Sequence, residues 1–124
     1  MPLFSKSSQE KLSTCHEDLQ KLFNEVIKDV DCTIVCGFRN QEDQDKAFAD
    51  GFSKRKWPDG NHNKNPSLAV DVCPYPVDFA AIERFKVFSE VVKCKANELG
   101  IGVSWGGDWR GFVDYPHWEI KGAS

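Results

Sequence analysis

Through the first thirty positions the apolar residues Leu12, Cys15, Leu19, Leu22, Phe23, Val26, Ile27 and Val30 recur at helical spacing and describe one stripe. Ser7-Ser8-Gln9-Glu10 supplies a capping-box start, so the pattern predicts one long amphipathic helix ending near Asp29. His16 flanks the stripe and reads as a surface or boundary residue. The period then shortens to two in Cys32-Thr33-Ile34-Val35-Cys36, a half-buried strand with Cys32, Ile34 and Cys36 on its core face. The Cys-x3-Cys spacing is assigned to the core rather than to a metal.

Gly37-Phe38-Arg39 closes this strand, and Asn40 can cap a short helix running to about Asp50, with Gly51 as its stop. Arg39 therefore sits at a strand-to-helix junction. From Phe52 to Ser67 the chain is polar and broken by Pro58, Gly60 and Pro66, which predicts a long loop. Alternation returns in Ser67-Leu68-Ala69-Val70-Asp71-Val72-Cys73: Leu68, Val70 and Val72 face the core, while Ala69, Asp71 and Cys73 share the other face. After Pro74-Tyr75-Pro76, Asp78 is expected to cap a second long helix whose apolar face is Ile82, Phe85, Phe88, Val92, Ala96 and Leu99, ending at Gly100. Ile101 to Trp105 reads as a strand, Gly106-Gly107 as a turn, and His117 to Ile120 as a last strand with His117 and Glu119 on one face. Adjacent strand signals without regular βαβ alternation give an α+β domain.

At 124 residues and 40% apolar the chain fits a single domain, 1–124, able to bury a core without disulfide staples. Its five cysteines are odd in number and lack CxxC spacing, which fits reduced thiols. A formal charge of -3 argues against nucleic acid as a partner. No run of about 18 apolar residues and no apolar segment near the N-terminus occur, so neither membrane insertion nor a signal peptide is expected, and synthesis is placed in the cytosol. Lys54, Arg55, Lys56 and Lys64 crowd into the long loop of an otherwise acidic chain, either to attract a carboxylate-bearing substrate or as a solvated surface.

His62, Asp71 and His117 are the ligand types a catalytic zinc requires, three protein donors with an open position for water. Asp114 precedes His117 by three residues across a rigid Tyr-Pro, from where it could act as general base. Glu119 is the competing base, or else holds a ligating histidine from behind. Arg39 would stabilise an oxyanion or hold a substrate carboxylate if it faces the same cleft, and a surface salt bridge if it does not. Cys73, on the Asp71 face, is a softer donor or a small buried filler.

With these residues in place the chain resembles zinc peptidases of the D-alanyl-D-alanine carboxypeptidase and Hedgehog superfamily, and most closely the bacteriophage L-alanyl-D-glutamate endopeptidases used as endolysins. The resemblance spans most of the chain and rests on four ordered blocks. These are Gly37-Phe38-Arg39 with Gln44 and Gly51; His62 with Pro66 to Val72 and Pro74-Tyr75-Pro76; Trp105 to Trp109; and Asp114-Tyr115-Pro116-His117-Trp118-Glu119. It implies a small α+β fold with an antiparallel sheet carrying one Zn2+ on His62, Asp71 and His117, with Asp114 as base and Arg39 as transition-state stabiliser. Glu119 and Gln44 would then support the ligands or the substrate. The implied substrate is the peptidoglycan stem peptide, cut at L-Ala–D-Glu by a monomer without a separate wall-binding domain. Such an enzyme would accumulate in the host cytoplasm and reach the wall after another protein opens the membrane. A D-Ala-D-Ala carboxypeptidase or dipeptidase of the same fold, or a non-catalytic zinc-containing binding module, are the alternatives. Two features depart from the commonest superfamily pattern, Ser-x-His-x-x-Gly-x-Ala-x-Asp: Gly60 stands in place of the serine, and the interval from His62 to Asp71 is two residues longer. Substrate preference is where these departures are expected to act.

Overall fold

The computed structural model describes residues 2–122. Among them, four α-helices (α1 Lys6–Leu12, α2 Glu17–Asp29, α3 Gln41–Ala49, α4 Ile82–Leu99) and four strands (β1 Cys32–Cys36, β2 Ala69–Pro74, β3 Val103–Trp105, β4 His117–Ile120) form the expected α+β fold. The strands make one antiparallel sheet in the order β1-β2-β4-β3. α2 and α4 pack on each other and against one sheet face. Leu19, Leu22, Phe23, Val26 and Ile27 of α2 and Phe85, Phe88, Val92 and Ala96 of α4 are buried there with Ile34, Val70, Val72 and Trp118. Trp118 anchors this layer, stacked on Trp105 at 5.9 Å and meeting Phe23 edge-on at 6.3 Å. Because side chains alternate along a strand, burying Trp118 turns His117 and Glu119 to the opposite face.

The predicted long first helix is two. Ser5, not Ser7 or Ser8, caps α1 by accepting from Ser8 N at 3.1 Å, and α1 ends at Leu12. Between the helices the backbone turns outward to pair with the start of the β2 segment. Ser67 N donates to Thr14 O at 2.9 Å, and His16 N donates to Ser67 O at 2.8 Å. A continuous helix would have spent those groups internally, so tertiary pairing overrides the apolar stripe here. His16 then caps α2, its Nδ1 accepting from Asp18 N at 3.0 Å, and it stays out of the site as expected.

The second correction concerns Asp78, which does not cap α4. Its carboxylate closes a turn on Ala80 N at 3.0 Å, and α4 starts at Ile82, which is exposed rather than in the core. α3 runs as predicted from the Asn40 cap, whose Oδ1 accepts from Asp43 N at 2.9 Å, and Gly51 follows it with φ +81°.

A third difference bears on the site. β1 carries a bulge: Ile34 lies opposite Val72, yet Cys36 lies opposite Asp71, so two steps on β1 match one on β2. A slip of one residue exchanges the faces of a strand. Cys36 is thus turned away from the core shared by Cys32 and Ile34 and stands half-buried on the Asp71 side. Cys73, by contrast, is fully buried as a core filler.

Candidate active site

Three elements bring the predicted ligands together. His62 lies in a 3-10 turn, Asn61–Asn63, within the long loop; Asp71 is in β2; His117 opens β4 directly opposite Asp71 in the ladder. His62 Nε2 stands 3.2 Å and His117 Nδ1 3.3 Å from the same oxygen, Oδ1 of Asp71. The outer nitrogen of each ring is held from behind. His62 Nδ1 is 2.8 Å from the carbonyl of Gly37, and because a carbonyl only accepts, Nδ1 carries the proton and Nε2 is left for a ligand. His117 Nε2 likewise donates to Glu119 Oε1 at 2.7 Å, freeing Nδ1. Two imidazoles oriented by outer partners, with their inner nitrogens turned to one carboxylate, are the donor types and support that a bound metal ion uses. Groupings able to hold a metal are Cys36, His62 and Asp71, and Asp71, Asp114 and His117, the donor atoms of each lying within 4.8 Å of one another.

Charge follows from this crowding. Burial pushes the Asp71 carboxyl up, but the His62 and His117 imidazoles outweigh it and hold the group well below the usual carboxylate range. Burial pulls His62 and His117 down, and Asp71 more than compensates, so both imidazoles are raised. Glu119 is pushed up by burial yet held low by its bond to His117, with smaller help from Asn61 and Arg55. Asp114 goes the other way: burial first, then the charge of Asp71, carry it up to about 6, in the range of a general base working near neutral pH. Its Oδ2 is 3.9 Å from His117 Nδ1, on the nitrogen left free for a ligand.

Arg39 does face the cleft. Its Nη2 is 3.5 Å from Asp71 Oδ2, so the two oxygens of Asp71 are divided between the histidines and the guanidinium. Gln44, fully buried, sets that geometry: its Oε1 accepts from Arg39 Nη1 at 3.0 Å and from Asn63 Nδ2 at 3.1 Å, and its Nε2 donates to Ser53 Oγ at 2.9 Å and Arg55 O at 2.6 Å. One buried amide therefore ties α3, the His62 turn and the cationic loop together.

Sequence reasoning missed Asn63, Cys36 and Trp109. Asn63 Oδ1 accepts from Gly60 N at 3.0 Å and would lie 2.8 Å from a Cβ added at Gly60, so its amide fills the space where the superfamily pattern places a serine side chain. The partner of Gly60 is thus readable only with the fold. Cys36 Sγ is 3.9 Å from His62 Nδ1, the ring nitrogen already committed to Gly37. Trp109 packs against His117 with ring centroids 4.8 Å apart.

These groups line a cleft of 960 Å³ walled by Phe52, Phe79, Trp109 and Phe112, with Lys54, Arg55 and Arg110 also facing it. A family model described as phage L-alanyl-D-glutamate peptidase matches residues 2–123. The chain belongs to the phage L-alanyl-D-glutamate peptidase family. Within and around this family, the L-alanyl-D-glutamate peptidase of Escherichia phage T5 is 32% identical over 123 residues, covering 95% of this chain and 88% of that protein. The peptidoglycan L-alanyl-D-glutamate endopeptidase CwlK of Bacillus subtilis is 30% identical over 107 residues, 75% of this chain but 62% of that longer protein. Among solved structures, the Serratia marcescens L-Ala D-Glu endopeptidase ChiX superposes with a TM-score of 0.81 at 26% identity, covering 95% of this chain and 90% of that one. This peptidase family accounts for the fold.

Proposed function

We propose that this chain is a zinc-dependent endopeptidase that cuts the L-Ala–D-Glu bond of peptidoglycan stem peptides, serving a phage as an endolysin. Membership of the L-alanyl-D-glutamate peptidase family supports the substrate. The observation that carries the chemistry is the convergence of His62 Nε2 and His117 Nδ1 on Asp71, each imidazole fixed by an outer acceptor. His62, Asp71 and His117 would hold the ion. Cys36 is left out because it touches the wrong nitrogen of His62. Zinc bound there would polarise the scissile carbonyl and make a nearby water acidic enough to attack at neutral pH.

The chain's own groups supply the rest. Asp114, half-buried and raised to about 6, accepts the proton of the attacking water and returns it to the leaving amine. Arg39, its other edge braced by Gln44, faces the developing negative charge on the carbonyl oxygen. Glu119 keeps His117 in the ligating tautomer, and Trp109 screens that ring from solvent. Among the described residues no helix is long and apolar enough to cross a membrane. In this reading a partner protein opens the membrane before the enzyme, acting as a monomer, meets the wall.

Digestion of purified peptidoglycan followed by mass spectrometry tests the proposal. New L-alanine carboxyl ends paired with new D-glutamate amino ends are expected. Release of D-alanine as the sole product would instead make this chain a carboxypeptidase of the same fold.

A further inference from the structure

Arg39 faces the cleft floor and is already paired with Asp71. A carboxylate on a bound peptide would therefore need another cation along the walls. Lys54, Arg55 and Arg110 line the cleft, and among the described residues none has a carboxylate within 4.0 Å. Lys54 is engaged on the Phe112 ring at 5.2 Å. Arg55 is the anchored member. Its carbonyl accepts from the buried Gln44 at 2.6 Å, its N–H donates to Ser53 Oγ at 3.1 Å, and only Nη1 is engaged, on Asp59 O at 3.2 Å. The remainder of its planar fork is unspent, on a backbone fixed to the residue that also orients Arg39.

The substrate class supplies a partner. A glutamate joined to the chain through its amine and one carboxyl keeps its other carboxyl free, only a few bonds from the scissile nitrogen. We propose that Arg55 recognises this free carboxylate on the leaving side of the bond, making the enzyme selective for stem peptides whose glutamate is not amidated. The assignment rests on the endopeptidase reading above and adds a specificity residue to it. A guanidinium matches a carboxylate with two parallel hydrogen bonds, whereas a carboxamide is neutral and turns an N–H donor toward the same fork.

Two synthetic peptides test this, one with the glutamate carboxyl free and one with it as the primary amide, compared by kcat/KM on the zinc-loaded enzyme. The wild type is expected to favour the free acid by about tenfold. Arg55→Gln should bring the ratio close to one, and Arg55→Lys should restore part of it. Lys86→Gln, on the exposed side of α4, should keep the wild-type ratio, separating local recognition from net charge. Equal use of both peptides by the wild type overturns the assignment without touching the endopeptidase reading, and needs no variant to fold. A ratio that survives Arg55→Gln but collapses in Arg110→Gln moves recognition off Arg55 and overturns it as well. If neither peptide is cut, the endopeptidase reading and this assignment fall together.

Discussion

Each oxygen of Asp71 serves different neighbours, the two histidines on one and Arg39 on the other, so this residue cannot change without disturbing both the histidines proposed to hold the metal and the cation beside them. Asp114 shares the cluster but plays a separable part. Asp114→Asn should keep zinc content at the wild-type level while lowering kcat by about 10² to 10⁴, the usual contribution of a positioned base. Loss of the metal in that variant, read by elemental analysis, would make Asp114 a ligand instead. The thiols give an independent check. Burial pushes Cys15 and Cys32 up to about 12, whereas Cys94 is exposed. A thiol reagent at neutral pH should therefore label Cys94 within the folded protein and reach Cys15 and Cys32 only on unfolding, as peptide mapping would show. At this scale the sequence singled out His62, Asp71 and His117 through the family-like blocks that carry them, since 19 Asp and Glu, five Cys and three His offer many other combinations; the structure brings the three together at Asp71 Oδ1. Cys36 and Asn63 were not legible. The first needs a bulge to face the site, and the second replaces a side chain absent from its neighbour.

At the scale of elements, the loop between β3 and β4 shows how backbone geometry places Asp114, the proposed base. Asp114 N donates to Gly106 O at 3.0 Å, and Trp105 Nε1 donates to Tyr115 O at 2.8 Å, so the loop is tied down at both ends. A Cβ at Gly106 would run into the Asp114 carbonyl and stand 3.0 Å from His117 Cβ. Gly106→Ala should thus cost roughly 1–3 kcal/mol of stability, as overpacking does, and lower activity beyond what the loss of folded protein explains. Thermal melts alongside rates at a temperature where the variant is fully folded would separate the two. Gln44→Ala should act similarly on the other side of the cleft. It leaves Arg39 and the Asn63 amide short of an acceptor, and KM and kcat are both expected to worsen by roughly tenfold or more. The Asn40 and Gly51 signals read correctly from the chain, and the strand periods did so except where the β1 bulge turned Cys36 off the core face and where Cys73 joined the core. The break at Ser13 to His16 did not, because the competing bonds come from Ser67, more than fifty residues away.

For the whole molecule, metal binding and folding should be coupled. Zinc bound to residues from β2, β4 and the His62 turn bridges parts of the chain distant in sequence, so chelation should lower the melting temperature by several degrees and abolish lysis, with both restored by added zinc. The pH dependence has a definite sign. In the metal-free protein Asp71 keeps both imidazoles protonated above their ordinary 6.5 despite burial. Seating a cation expels those protons, so zinc affinity should rise with pH and fall as pH drops, measurable by competition with a chromogenic chelator. For the metal-free protein alone, the stabilisation from protonated His62 is complete below about 6.5 and is lost as pH rises through its raised value. The zinc-loaded form should not show that alkaline loss.

The amino-acid sequence by itself determined the α+β class, the order of the strands and the α3 cap, because hydrophobic period and turn chemistry are local properties. The tertiary structure decided what depends on chain segments meeting. A distant serine split the first helix, a bulge in β1 turned Cys36 toward Asp71, Asn63 filled the space beside Gly60, and Gln44 joined Arg39 to the loop carrying Arg55. Each of these is a hydrogen bond or a steric exclusion between residues far apart in sequence, and no window along the chain contains both partners.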